Sequence, residues 1–282
     1  RESTETEVEL WLLDINSEIR DGVPEVWLWG VAPGKRVLLV ERGFRPYLYI
    51  VTSRAADLKK LGEEALKALE ELGETGTARL LERSYFGRNV SAIKVQFTNP
   101  EKAERLAKTL KKLGGVENVL EDDIRFSNRY MVDYGVKPCG WHLWRVSSCE
   151  KPSGMDVDSA YEIHGKPNVK ERAELPALRV MAFHALYFGR KGSPRPERDP
   201  VAVISVSTSE GKTWQFLAEN GKDEEALTGF VRFMRRRDPD VIVGFGSNRR
   251  DWPYLMERAK RLGVPLEVAR SGAEPHGSVY GH

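Results

Sequence analysis

The sequence predicts a mixed α/β chain of two domains joined by an irregular connector. The first half alternates short β-rich runs with two leucine-striped helical segments. The second half opens with three successive β-rich runs and then turns amphipathic with a helical period, and between the halves proline and glycine break every period. At 282 residues the chain has room for about two domains, each with a core of its own.

Val8–Ile15 and Val26–Val31 read as a hairpin around Asp21-Gly22. Val37–Val40 and Tyr47–Val51 are strands separated by Gly43 and Pro46. Ser53 is placed to cap a helix carrying Leu58, Leu61, Leu66, Leu69 and Leu72. Arg79–Leu81 and Val90–Phe97 follow as strands. Asn99-Pro100 then starts a second helix, which buries Leu106, Leu110 and Leu113 and stops at Gly114-Gly115. With Val116–Leu120 as a last strand, the order β-α-β-β-α-β is the split βαβ arrangement of ferredoxin-like domains, expected over residues 1–133.

Residues 134–177, with Pro138, Gly140, Pro152, Gly154, Gly165, Pro167 and Pro176, are expected to be a connector. From 178 to 282 the chain reads as a second domain. Leu178–Phe183, Val201–Val206 and Thr213–Leu217 are strands, and Asp223–Arg237 is a helix with Leu227, Phe230, Val231 and Met234 on one face. That helix opens on Asp223, Glu224 and Glu225 and closes on Arg235, Arg236 and Arg237, which matches its dipole. Val241–Phe245 is a further strand and Trp252–Leu262 a helix. Three strands, helix, strand, helix is how an RNase H-like nuclease core begins, and the pattern alone leaves other α/β arrangements open.

Composition narrows the classes. Forty-four Lys and Arg against 42 Asp and Glu give a net charge of +2, which excludes a globally basic, histone-like nucleic-acid binder. Hydrophobic content of 40% with seven Trp argues against disorder. No apolar run approaches the roughly 20 residues of a membrane helix, and the opening RESTETEVEL is too polar for an export signal. A soluble cytoplasmic protein without a membrane partner is expected. Cys139 and Cys149 are two free thiols or one local bridge.

Specific strings add to these patterns. Asp238-Pro239-Asp240-Val241-Ile242-Val243-Gly244-Phe245, with Ser247-Asn248-Arg249-Arg250-Asp251-Trp252-Pro253-Tyr254-Leu255 behind it, resembles the second exonuclease motif of archaeal family-B DNA polymerases. Leu178-Arg179-Val180-Met181-Ala182-Phe183, with Gly192-Ser193-Pro194 and Arg198-Asp199-Pro200, is similar to the region around their first exonuclease motif. Phe44-Arg45-Pro46-Tyr47-Leu48-Tyr49 and Asp123-Ile124-Arg125-Phe126, with Arg129-Tyr130, resemble the family's N-terminal domain. The resemblance covers nearly the whole chain in order and spacing, and it is closest to crenarchaeal members. It implies an RNase H-like 3′–5′ exonuclease domain after the first domain. The family's third exonuclease motif and its polymerising parts lie beyond the matched region, so polymerisation would reside in a downstream domain or a partner polymerase subunit.

The departures from that family bear on chemistry. Its first motif is Asp-Ile-Glu, two carboxylates on one strand face that hold two divalent metals. The matching residues here are His184, Ala185 and Leu186. Leucine offers no ligand, and imidazole suits oxygen-preferring Mg²⁺ poorly. In the second motif Asp251 remains, while Gly246 and Arg250 stand where Asn and Phe are usual. No bound metal cofactor and no exonuclease activity are therefore expected. His184 is read as a tolerated strand residue rather than a replacement ligand or base, and Asp251 as the N-cap of the helix at Trp252. Asp156, Asp158, Asp199 and Asp240 are read as turn formers rather than substitute ligands.

The expected partner is single-stranded or primer-template DNA, with Arg249 and Arg250 contacting phosphate in a relic cleft without metal. The resemblance also implies a template-uracil pocket at Ser17, Pro46, Tyr47, Ala92, Ile124, Phe126 and Arg129. There an apolar slot would stack a flipped pyrimidine and exclude the thymine methyl. Ser17 and Ala92 are smaller than usual and loosen the slot. Two alternatives stand beside this reading: an active metal-dependent 3′–5′ exonuclease with a non-standard ligand set, and an RNA-binding module. The string Ser84-Tyr85-Phe86-Gly87-Arg88 does not fit the strand motif of the common RNA-binding βαββαβ domain.

Overall fold

The computed structural model describes residues 5–275, so the first four residues of the polar opening run lie outside it. The described chain divides into two compact units. One runs to Glu150 and also takes Ser159–Ala173; the other holds Lys151–Asp158 and the chain from Glu174 onward.

The first unit begins with an antiparallel meander of β1 (Thr6–Arg20), β2 (Val23–Ala32) and β3 (Lys35–Glu41). Asp21 and Gly22 both take positive φ, 51° and 76°, the left-handed pair that a two-residue hairpin turn needs. An inserted module follows: β4 (Tyr47–Thr52), α1 (Leu58–Glu71), β5 (Thr77–Tyr85), β6 (Arg88–Gln96), α2 (Ala103–Leu110) and β7 (Val116–Leu120). Its sheet runs β5-β6-β4-β7, entirely antiparallel, so β6 sits between β4 and β5. Both helices cover one face, burying Leu61, Leu69, Leu106 and Leu110 against Leu48, Ile50, Ile93 and Val95.

After α3 (Phe126–Tyr134) the chain returns to the first sheet with β8 (Trp141–Ser148), β9 (Ser159–Ile163) and β10 (Asn168–Lys170). β8 pairs with β1, and β9 pairs with β8 and, in parallel, with β3. The strands β1-β2-β3-β9-β8 thus close into a ring of five. β1 serves two neighbours, β8 through Trp11 and β2 from Trp11 onward, and a register shift between Leu12 and Asp14 marks where it bends. Leu10, Leu12, Leu28, Leu39, Trp144 and Val146 fill the ring, and α3 adds Phe126 and Tyr130 to the same core. Gly30 is required there, because a Cβ would meet the backbone oxygen of Trp11 at 2.6 Å.

Residues 134–177 therefore differ from the connector expected. Their prolines and glycines fall between short strands, and sheet membership in strands of 3–8 residues leaves little periodicity. Asp57, not Ser53, caps α1 by accepting from the Lys60 N–H at 3.1 Å, while the Ser53 N–H bonds the Gly115 carbonyl. The helix expected to reach Gly114 ends at Leu110. Cys139 and Cys149 are both free thiols.

The second unit contains β11 (Val180–Tyr187), β12 (Val201–Thr208), β13 (Thr213–Leu217), α4 (Glu224–Arg237), β14 (Val241–Val243) and α5 (Asp251–Leu262). Its sheet order is β13-β12-β11-β14, with β14 parallel to β11. Met181, Phe183, Ile204, Val206, Phe230, Met234 and Leu255 form its core. The buried Asp223 ties the unit together, accepting from the Val201 N–H at 2.9 Å and from two nitrogens of Arg258 at 2.9 and 2.6 Å. Among the described residues no helix is long and apolar enough to cross a membrane.

His142, fully buried in β8, gives the first unit an acid-sensitive point. Its Nε2 accepts from the Lys137 N–H at 3.0 Å, and its Nδ1 donates to the Gly140 carbonyl at 3.0 Å, so the ring is held neutral. Burial lowers its pKa below the ordinary value. The unfolded chain then binds this proton first, so the stability His142 contributes is complete above about pH 6.5 and declines as pH falls below that. Thermal midpoints measured at about pH 7.5 and pH 5 should drop more in the parent chain than in His142→Asn; equal drops would refute the assignment.

Candidate functional site

Alternation along β11 sends Met181, Phe183 and Ala185 into the core and leaves His184 and Leu186 on the opposite face. Beyond β14 the chain turns through Gly244, where a Cβ would lie 2.6 Å from the Ser247 side chain, and enters α5 at Asp251. This route brings together His184 and Asp251 from distant parts of the chain, with Nδ1 3.3 Å from Oδ2.

Asp251 has 0% exposure, and its carboxylate is fully engaged. Tyr187 donates its hydroxyl to Oδ1 at 2.8 Å, and Arg250 donates Nε to the same oxygen at 3.1 Å. Burial, and then the Asp251 carboxylate, push the Tyr187 hydroxyl pKa far above its ordinary value, so tyrosine stays a donor. The cap role expected for Asp251 is not what the structure has. Arg250 occupies the cap position of α5, no side chain bonds the helix amides there, and the Asp251 carboxylate turns back to β11. A buried charge gains more from a hydroxyl and a guanidinium than an exposed cap amide offers.

Leu186 is exposed and supplies no ligand atom. Arg249 is exposed, whereas Arg250, expected to be free for phosphate, already spends Nε on Asp251 and holds a second nitrogen 3.4 Å from His184. Asp199 accepts from the Arg195 N–H and Arg198, and Asp240 from the Arg179 N–H and Arg270. Among the described residues no group of three or more His, Cys, Asp or Glu is placed to hold a metal ion. Beside His184 lies an open cleft of about 1000 Å³, lined by Ser205, Ser207, Trp214, Gln215 and the almost fully exposed Phe245.

Tyr187 had escaped the sequence reading. It lies past a register shift between Leu186 and Tyr187, and such a bulge re-aims a side chain without leaving a mark in the sequence.

In the first unit Tyr47 opens β4 with both ring faces occupied. Lys94 Nζ lies 3.5 Å from the ring centre and the Arg129 guanidinium carbon 4.0 Å from it. The Tyr47 hydroxyl donates to Asp133 at 2.8 Å, and burial followed by that bond pushes its pKa well up. Arg129 is buried and donates to the Glu121 carboxylate at 2.6 Å and its carbonyl at 2.8 Å. Phe126 packs on Phe44, ring centres 5.2 Å apart, inside the ring core. Pro46 is buried and Ile124 is exposed. Ala92 pairs with Val51, four residues along β4 from Tyr47 and so about 14 Å away. Ser17 stands on β1 opposite Val26. Of the seven expected pocket residues, Tyr47 and Arg129 are thus in direct contact, while Ala92 and Ser17 sit further along their strands. Lys94, Glu121 and Asp133 were not foreseen, although Lys94 shares a strand face with Tyr47 by simple alternation.

Comparison with known proteins agrees with this geometry. Residues 217–275 match the model of the DNA polymerase family B exonuclease domain. "DNA polymerase 2" of Aeropyrum pernix is 36% identical over 276 residues, covering 96% of this chain and 34% of that protein. The DNA polymerase of Archaeoglobus fulgidus is 30% identical over 266 residues, covering 94% of this chain and 32% of its own length. The solved structure of the family B DNA polymerase from the hyperthermophilic archaeon Pyrobaculum calidifontis superposes with a TM-score of 0.89 at 40% identity, over 97% of this chain and 35% of that one. The second unit is thus of the exonuclease-domain class found in family-B polymerases. The chain as a whole corresponds to the N-terminal and exonuclease region of an archaeal family-B DNA polymerase, and it spans about a third of the length of these relatives.

Removing the tyrosine donor tests the account of Asp251. Tyr187→Phe should cost the second unit roughly 1.5–3 kcal/mol, since a bond to a buried charge is lost. Urea denaturation followed by fluorescence of Trp252, which packs on Phe183 at 4.8 Å, would register it. An unchanged midpoint would mean that Arg250 alone satisfies the carboxylate.

Proposed function

We propose that this chain is a DNA-binding, nuclease-inactive portion of an archaeal family-B DNA polymerase or of an inactivated homologue. The observation that carries this reading is the closed bonding of Asp251. A two-metal phosphodiesterase site needs several carboxylates whose oxygens face the metals. Here Asp251 is committed to Tyr187 and Arg250, and the neighbouring positions are imidazole and an exposed leucine. Protein donors around Asp251 do what metal ions would do in an active site: they balance its charge. With Leu186 providing no charge, a phosphodiester approaching the surface around His184 and Arg250 would meet little repulsion. Arg249 and the outer nitrogens of Arg250 then supply the phosphate contact, without metal. The polymerising activity would belong to a downstream domain or a partner subunit.

Two measurements on the purified chain test this. A labelled single-stranded oligonucleotide incubated with Mg²⁺ or Mn²⁺ should release no nucleotide, and its binding should survive EDTA. Release of mononucleotides, or binding that EDTA abolishes, would overturn the reading in favour of an active nuclease with an unusual ligand set.

Template-uracil recognition in the first unit is a second reading. It is supported by the family resemblance at Pro46, Tyr47, Ile124, Phe126 and Arg129, and by the Lys94–Tyr47–Arg129 stack that holds the start of β4 fixed. Because that stack covers both faces of Tyr47, a flipped base would lie against the exposed Ile124, not on the tyrosine ring. Oligonucleotides containing one uracil should bind more tightly than their thymine counterparts; equal affinities would reject this reading.

A further inference from the structure

The face of the β5-β6-β4-β7 sheet turned away from α1 and α2 gathers cations along β5 and β6, while α3 covers its Tyr47 end, where Arg129 stacks on the Tyr47 ring and Asp133 accepts from its hydroxyl. Arg79 pairs with Lys94, Arg83 with Val90 and Tyr85 with Arg88, while Lys94 pairs with Tyr49 on its other side. Strand alternation puts these residues on one face, because Ile93 and Val95, one step out of phase, enter the helix-covered core. Three exposed cations, Arg79, Arg83 and Arg88, lie there beside Tyr49 and Tyr85, while the Lys94 ammonium sits 3.5 Å from the Tyr47 ring centre. No Asp or Glu occupies a paired strand position on that face. Glu82 belongs to the other face, where it accepts from Ser91. The carboxylates of Glu121 and Asp133 meet Arg129 and Tyr47 near Lys94, so the part of this face without carboxylates is the outer β5–β6 hairpin.

The tip of the β5–β6 hairpin is anomalous in two independent ways. Phe86 and Gly87 form the two-residue turn with φ of 48° and 75°, a left-handed pair that favours Asn-Gly and disfavours an aromatic residue. The Phe86 side chain is also 89% exposed, its ring 4.7 Å from that of Tyr85. Backbone strain and a bare aromatic ring both count against phenylalanine as a folding choice, and a strained residue of this kind points to a use outside the fold. An exposed ring at the end of a basic, carboxylate-free strip matches the chemistry of an unpaired nucleic-acid strand: phosphates along the cations and a base on the ring.

We propose that this hairpin face is a track for single-stranded DNA, with Arg79, Arg83 and Arg88 along the phosphates and Phe86 stacking a base at the tip. It rests on the DNA-binding reading above but uses a different unit from the Asp251 cleft. The test uses the whole chain and a fluorescent oligo-deoxythymidine at fixed salt. Phe86→Asn suits the turn better than the native residue, so its thermal midpoint should be unchanged or higher. Its affinity should nevertheless fall roughly 5- to 150-fold, the range for loss of one stacked base. Combined Arg83→Gln and Arg88→Gln should flatten the dependence of log affinity on log salt by about 1.4, for two lost phosphate contacts.

Parental affinity and salt dependence in both variants would overturn the track. If Arg249→Gln weakened binding under the same conditions, the DNA-binding reading would stand while the track fell. A parent chain with no affinity for the probe would sink both.

Discussion

A carboxylate removed from water must be paired, and in the second unit everything around Asp251 follows from that requirement. Its side chain has no solvent contact, so Tyr187, Arg250 and His184 converge on it from β11 and from the start of α5. The Tyr187 and His184 contacts hold β11 against the start of α5. A cluster of carboxylates in such a position needs metal ions to offset mutual repulsion. A lone carboxylate with a guanidinium and a phenol needs none. The absence of acids at His184 and Leu186 and the pairing of Asp251 with Arg250 are thus parts of one electrostatic balance.

The first unit solves a different problem. An open β-meander leaves two edges unpaired, and such edges invite association. Closure of β1-β2-β3-β9-β8 removes them, but it requires β1 to pair on both sides and β9 to run parallel to β3. A long insertion, from β4 through α3, separates β3 from β8. Such an insertion is tolerated because loop-closure entropy grows only slowly with length. Phe126 and Tyr130 of α3 return from the insertion into the ring core, so the inserted module and the ring are tied by packing as well as by the chain.

How much of this was readable from residues alone depended on whether the signal was local. Strands such as Thr213–Leu217 and helices such as Trp252–Leu262 carry their periods in consecutive residues, and the structure has them where the patterns lie. The Asp21-Gly22 turn was equally explicit, since few residues accept its φ values. Ring closure was not visible, because strands of 3–8 residues separated by proline and glycine show too few alternations to register, and their partners are more than a hundred residues away. At the Asp251 site the sequence named His184, Leu186, Arg250 and Asp251 but misjudged what two of them do. It treated Asp251 as a cap and Arg250 as a free cation, when each is the other's partner. Cap preference is a property of a residue type, whereas the Tyr187 and His184 contacts that draw Asp251 back to β11 join residues distant in the chain and are a property of the fold.

Arginine is put to two opposite uses in this chain, which bears on how it would meet a polyanion. Arg129, Arg250, Arg258 and Arg270 each face a carboxylate at 2.6–3.1 Å, and much of their charge is answered within the protein. Such residues fix geometry and contribute little long-range field. On the β5–β6 hairpin, Arg79 and Arg88 are exposed and Arg83 is answered only by a neighbouring carbonyl and a tyrosine ring. A net charge of +2 therefore hides an uneven distribution. Phosphate attraction depends on cations not yet neutralised by carboxylates, so the field that draws in a nucleic-acid strand should be stronger at the hairpin than at the Asp251 cleft. On these grounds the exposed hairpin cations present the stronger field, and the paired arginines around Asp251 the weaker.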